Sequence, residues 1–229
     1  MDKTAACGSG AAGACAIEYW VNPSKGRDAK PDGVVPEKSA KDKCGWGCIM
    51  EIGLTEAVRK MTSAGALPAA QEGELLFCWD LARVDFGQRK LLVASNAATR
   101  LCAITRMAAA DWRRIDEVAL RLVEDAVGCA GLDAARYLAL AGEVRLSKTH
   151  GRRALGCMND LSRMLDPTRI DMGEKLQWRE MELFNCRFIS KCAGHDGYGV
   201  PAERFVEDLR VLIERSWRLL SPSGHLQSK

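Results

Sequence analysis

The 229-residue chain lacks any apolar run that approaches the roughly 20 residues a membrane-spanning helix requires. Its first residues, Ala5-Ala6-Cys7-Gly8 onward, are small and show no apolar stretch behind a basic start, so no secretory signal is expected. The expected location is cytoplasmic, with no membrane partner. Charge of one sign is also scarce: 33 Lys and Arg face 30 Asp and Glu, a net charge of +3. A balance that small does not demand nucleic acid, and it leaves room for a local basic patch. Histidine is rare and scattered (His150, His195, His225), and no neighbouring nucleophile or base marks a catalytic pair. Two carboxylates placed for glycoside chemistry are missing. So is the glycine spacing before a Lys-Ser/Thr pair that makes a P-loop. No internal repeat is visible.

Cysteine is not scarce, but cysteine density is. The ten cysteines are dispersed, and several lie in apolar runs such as Leu101-Cys102-Ala103-Ile104. Small secreted disulfide scaffolds look different, so reduced and mostly buried thiols are expected. Cys44-Gly45-Trp46-Gly47-Cys48 has a three-residue gap, which misses the redox CxxC. As a zinc site it would need a second close pair. Cys186 and Cys192 are spaced too loosely to supply one, so no metal is expected.

What is present begins near Met50. Residues 1–49 mix Gly, Ala, Pro and Lys with few large apolar residues, and have little to bury against their ordering entropy. They are expected to be a disordered leader or the product of a misplaced start. Residues 50–220 read as one domain and 221–229 as a frayed tail.

Ile52 and Leu54 suggest a short strand, with Thr55 capping a helix to about Gly65. Residues 75–82 alternate as a half-buried strand, Leu75, Phe77, Trp79 and Leu81 against Leu76, Cys78, Asp80 and Ala82. Strands at 91–93 and 101–104 follow short links, which favours an antiparallel meander. Asp111 is a candidate N-cap for a helix carrying Trp112, Ile115, Ala119, Leu122 and Ala126, closed by Gly128 and Gly131. Asp133 opens a second helix that ends at Gly142. A strand over 144–149, a turn at His150-Gly151 and a helix carrying Leu155, Met158, Leu161 and Leu165 come next. Further helices are expected over 174–188 and from Pro201, the latter burying Phe205, Leu209, Leu212 and Leu219. The fold class is α+β, a small and mainly antiparallel sheet covered by helices.

Two stretches carry a resemblance: Arg89-Lys90-Leu91-Leu92-Val93-Ala94-Ser95-Asn96-Ala97-Ala98-Thr99-Arg100, and Lys148-Thr149-His150-Gly151-Arg152-Arg153-Ala154-Leu155-Gly156-Cys157-Met158-Asn159-Asp160-Leu161. In this order, after Ile52-Gly53-Leu54-Thr55 and a strand containing Trp79, they resemble the bacterial domain family DUF6933 over about Met50 to Phe205. The family pattern has Ser where Arg153 and Cys157 stand. The resemblance implies a mixed α/β domain common in mobile-element and phage settings. It implies no reaction.

The best candidate site is the strand–turn–helix Lys148-Thr149-His150-Gly151-Arg152-Arg153. It offers three permanent cations, a hydroxyl and a helix start whose N–H groups favour an anion. Asn159 is a candidate contact to a base edge or carbonyl; its structural alternative is an inward-facing bracket bonded to a strand backbone. Arg89 and Arg100 are candidate supporting cations. The leading expectation is a non-enzymatic binding domain that meets phosphate or nucleic acid at this turn, without a cofactor. The second is a phage or mobile-element module that modulates a protein partner, with Trp178, Trp217 and the last helix as anchors. An enzyme is third, for want of a nucleophile and base.

Overall fold

The structure, a computed structural model, describes residues 48–62, 64–71, 73–86, 88–164, 189–191 and 195–220. The expectations for the leader over 1–47, the helix over 174–188 and the tail lie outside these residues, as do Cys44, Trp178, Cys186 and Cys192.

The elements run β1 (Ile49–Leu54), α1 (Glu56–Thr62), β2 (Cys78–Phe86), β3 (Arg89–Asn96), β4 (Cys102–Arg106), α2 (Ile115–Cys129), α3 (Ala134–Ala141), β5 (Glu143–Lys148), α4 (Arg152–Met164), β6 (Ser190–Lys191), β7 (Tyr198–Gly199) and α5 (Pro201–Leu220). The main sheet has the order β4-β3-β2-β1-β5. The expected meander of β2, β3 and β4 is there, paired antiparallel. To it β1 adds two parallel pairings, one to β2 and one to β5. The class is α+β, with a mixed sheet. Parallel neighbours need long crossovers, and the helical segments before β2 and β5 supply them.

One face of the sheet carries Met50, Ile52, Leu54, Trp79, Leu81, Leu92, Ala94 and Ala103, which pack against α2, α3 and α5 in one apolar core. Its centre is aromatic. Trp79 and Tyr137 each stack near Phe205, with ring centroids 6.0 and 5.5 Å away. The Trp79 indole N–H donates to Tyr137 Oη at 2.9 Å, and the phenol donates to the Leu76 carbonyl at 2.6 Å. Burial pushes this phenol far up, so it stays a neutral donor. The chain enters α3 through the expected cap: the Asp133 carboxylate accepts from the Arg136 N–H at 3.2 Å. It leaves α3 at Gly142, where φ is +71° and a Cβ would run into the Cys48 carbonyl.

Two expected caps are built otherwise. The Thr55 hydroxyl is buried without a hydrogen-bond partner among the described residues, and α1 starts instead on the Thr55 carbonyl, which accepts from Arg59 N–H. Asp111 turns back to accept from Ala108 N–H at 2.8 Å and opens a 3-10 turn before α2. The turn at 97–99 is bracketed by Asn96. Its Nδ2 donates to the Leu76 and Cys78 carbonyls, and its Oδ1 accepts from the Ala98 and Thr99 amides. Among the described residues no helix is long and apolar enough to cross a membrane.

Candidate functional site

The second face of the sheet is where polar residues gather. Residues paired across strands point to the same side. Glu51 therefore lies between Arg145 of β5 and Cys78 of β2, and Gly53 lies between Ser147 and Asp80. After Lys148 the chain does not run on along the sheet edge. It turns inward and passes over Gly53, where an added Cβ would stand 2.9 Å from Thr149 Cα and collide with the Asp80 carboxylate. Only a residue without a side chain lets the crossing happen so low.

That crossing delivers His150 into a row of carboxylates. Asp80 Oδ1 accepts from the His150 backbone N–H at 3.0 Å and lies 3.0 Å from Nδ1 of its ring. The other ring nitrogen, Nε2, lies 3.2 Å from Glu51 Oε2. Arg145 donates to Glu51 Oε1 at 2.6 Å, and the Gln71 amide donates to Oε2 at 2.9 Å. The side chains of His150, Glu51 and Asp80 are each exposed by 4% or less, so these contacts are made away from water. Both ring nitrogens face carboxylate oxygens, and only the doubly protonated imidazolium can donate to both. Burial opposes that charge, but hydrogen bonds and Coulombic attraction to Asp80 and Cys78 outweigh it and push His150 up to about 10. Burial likewise opposes an ionised Glu51, yet the hydrogen bonds from Arg145, Gln71 and His150 hold it below the usual carboxylate range. The result is a near-neutral buried chain, Asp80–His150–Glu51–Arg145.

Two further features bear on chemistry. Glu51, Cys78 and His150 each place a ligand atom within 4.8 Å of the others. A cleft of about 250 Å³ opens beside them, and its lining includes Cys48, Glu51, Gln71, Phe77, Cys78 and Arg145. Cys78, His150 and Asp80 also have the composition of a nucleophile, its base and an orienting acid. Cys78 is only 1% exposed, however, its thiol donates to the Glu74 carbonyl at 3.5 Å, and His150 Nε2 is shared with Glu51.

The residues singled out from the sequence are distributed unevenly around this cluster. Lys148 and Arg152 flank His150 and are exposed; Thr149, between them, is half-buried. Arg153 lies in the first turn of α4, and its side chain is not among those described. Asn159 is exposed, which corrects its reading as an inward bracket. It stands seven residues after Arg152, hence on the same outward stripe, while Met158 takes the inward position at 3% exposure. Arg89 and Arg100 do not lie side by side. Arg89 opens β3 opposite Phe86, and Arg100 follows the turn beyond the other end of that strand. Arg89 is exposed beside Phe86; Arg100 is half-buried with φ +66°. In the last helix Phe205 and Leu209 are spent in the core, so that part of the stripe is not free for a partner.

Sequence reasoning missed Glu51, Asp80 and Arg145. The available signal was a carboxylate inside an apolar strand run, Met50-Glu51-Ile52 and Trp79-Asp80-Leu81. Period-two alternation reads such residues as the solvent side, but here His150 and Gln71 cover them and Asp80 is 0% exposed.

A mixed α+β domain with a polar cluster under a strand–turn–helix is thus the class that fold and site define. The chain belongs to the family described as a domain of unknown function, DUF6933, which matches residues 51–204. No curated protein matches it.

Proposed function

We propose that this domain binds phosphate-bearing ligands, nucleic acid above all, through the turn between β5 and α4. The observation that carries the reading is that the exposed cations Lys148 and Arg152 ride on a turn clamped from beneath by Asp80 and His150. Ordering a loop costs about 1–2 kcal/mol per residue, and a turn already held to the sheet avoids part of that cost when it meets a ligand. Neither cation has an ion-pair partner among the described residues, so neither must be released before it meets a phosphate. The first turn of α4 holds no acidic residue to repel an anion. Arg152 and Asn159 share the outward stripe, an arrangement in which phosphate contact and a polar contact to a base can be made together. Such a binder suits the bacterial mobile-element and phage settings that the resemblance implies.

The test is fluorescence anisotropy of labelled single- and double-stranded DNA over a salt series. The combined Lys148→Ala and Arg152→Ala variant should bind every sequence more weakly, with a salt slope lower by about one to two units. A wild type that binds nothing at low salt, or a variant with an unchanged slope, removes this reading in favour of the protein-partner one.

A further inference from the structure

We propose that His150, Glu51 and Cys78 form a binding site for one divalent transition-metal ion of the zinc class, with Asp80 as the positioning residue behind the histidine. The ligand set is the first ground. An imidazole nitrogen, a thiolate and a carboxylate oxygen form the mixed N/S/O set that zinc and cobalt accept, and all three ligand atoms lie within 4.8 Å of one another. The 3.2 Å between His150 Nε2 and Glu51 Oε2 is close to the edge of a tetrahedron whose ligands sit about 2.0–2.1 Å from its centre.

The second ground is independent of the ligands. Asp80 Oδ1 is 3.0 Å from His150 Nδ1, the carboxylate–histidine arrangement that fixes which ring nitrogen keeps its proton and leaves Nε2 for a metal. The same Asp80 is buried and has an Oδ2 with no hydrogen-bond partner among the described residues, a carboxylate oxygen in want of a positive neighbour. The third ground is access. The cleft beside the cluster is lined by Glu51 and Cys78 themselves, so an ion has an approach and a water can complete its shell.

The step balances simply. The metal replaces the proton on His150 Nε2 and the proton on the Cys78 thiol; both leave to solvent, and no electron moves. Charge then sums sensibly: a dication among two carboxylates and a thiolate, with Arg145 still donating to the other oxygen of Glu51. This site does not depend on phosphate binding at the turn above it, and its test shares no readout with that one.

The experiment uses the full chain after chelator treatment, titrated with cobalt(II) and, separately, loaded with zinc. One equivalent of cobalt should bind, with visible bands of a four-coordinate ion and a near-ultraviolet thiolate charge-transfer band. X-ray absorption of the zinc form should find a single sulfur at about 2.3 Å among N/O ligands at about 2.0–2.1 Å. Cys78→Ser should lose the charge-transfer band while keeping the wild-type circular dichroism. Asp80→Asn should keep the band and weaken binding about 10- to 100-fold. A wild type that retains no metal overturns the proposal, and so does a charge-transfer band that survives in Cys78→Ser. Should Cys78→Ser fail to fold, the sulfur count on the wild type decides, since two or more sulfurs would place the metal on other thiols.

Discussion

The two faces of the sheet solve the same burial problem by opposite means. Against α2, α3 and α5 the face is mainly apolar, and its buried polar groups, the Trp79–Tyr137–Leu76 chain and the Asn96 bracket, are hydrogen-bonded within the fold. On the other face the same strands bury Leu91, Val93 and Ile104 at one side of the sheet and Glu51, Asp80 and Ser147 at the other. The first face is held by area, which pH does not alter. The second is held by charge balance, which titrates and which a bound ion can reset. The elements that differ most in chemistry are neighbours within single strands, Glu51 beside Ile52 and Asp80 beside Trp79. A strand that is buried on both faces can therefore carry a stabilising face and a reactive one together.

The sharpest way to break this comparison is to remove one large contributor from each face in chelator-treated protein. Phe205→Ala and His150→Ala should each cost about 3–5 kcal/mol near neutral pH, the first by leaving a cavity and the second by stranding two buried carboxylates. Only the second cost should depend on pH. His150 is raised from 6.5 when unfolded to about 10 when folded, so its contribution is whole below 6.5 and is lost as pH rises through 10. Urea unfolding at several pH values across that window should show the wild type converging on His150→Ala while Phe205→Ala keeps a constant offset. Parallel pH profiles for all three proteins would erase the distinction between the faces.

A smaller effect tests how the second face is assembled. Gly53→Ala adds one methyl where Thr149 Cα and the Asp80 carboxylate already lie, and should cost about 3 kcal/mol, the upper end for overpacking. Because the turn must lift, the loss should be accompanied by faster exchange of the His150 amide proton. A variant with wild-type stability would mean that the crossing adjusts freely and clamps nothing. The smallest effect belongs to the outer surface: Asn159→Ala should change unfolding free energy by less than about 0.5 kcal/mol, as exposed positions do. A larger loss would restore Asn159 to the inward role that the sequence suggested.

The apolar face was largely legible beforehand. Period-two alternation found Trp79 and Leu81, three- and four-residue spacing found Trp112, Ile115, Ala119, Leu122 and Ala126, and Asp133 with Gly142 delimited α3, because each signal is local. The turn at Lys148–Arg152 was legible for the same reason, as a strand, a glycine and a helix in succession. The charged cluster was not. Glu51, Cys78, Asp80, Arg145 and His150 span a hundred positions and share no spacing, and each alone reads as a surface residue or a filler of an apolar strand. They meet only because β1 inserts in parallel between β2 and β5, and parallel pairing leaves no hairpin signature to read. Asn159 failed in the other direction, since which side of α4 faces the sheet depends on how Met158 packs. By itself the sequence determined the strands of the main sheet, the helices among the described residues, their apolar stripes and a basic turn, all consequences of backbone geometry repeated over a few residues. The tertiary structure alone decided which buried carboxylates would share one histidine, because that depends on the order in which distant strands lie side by side.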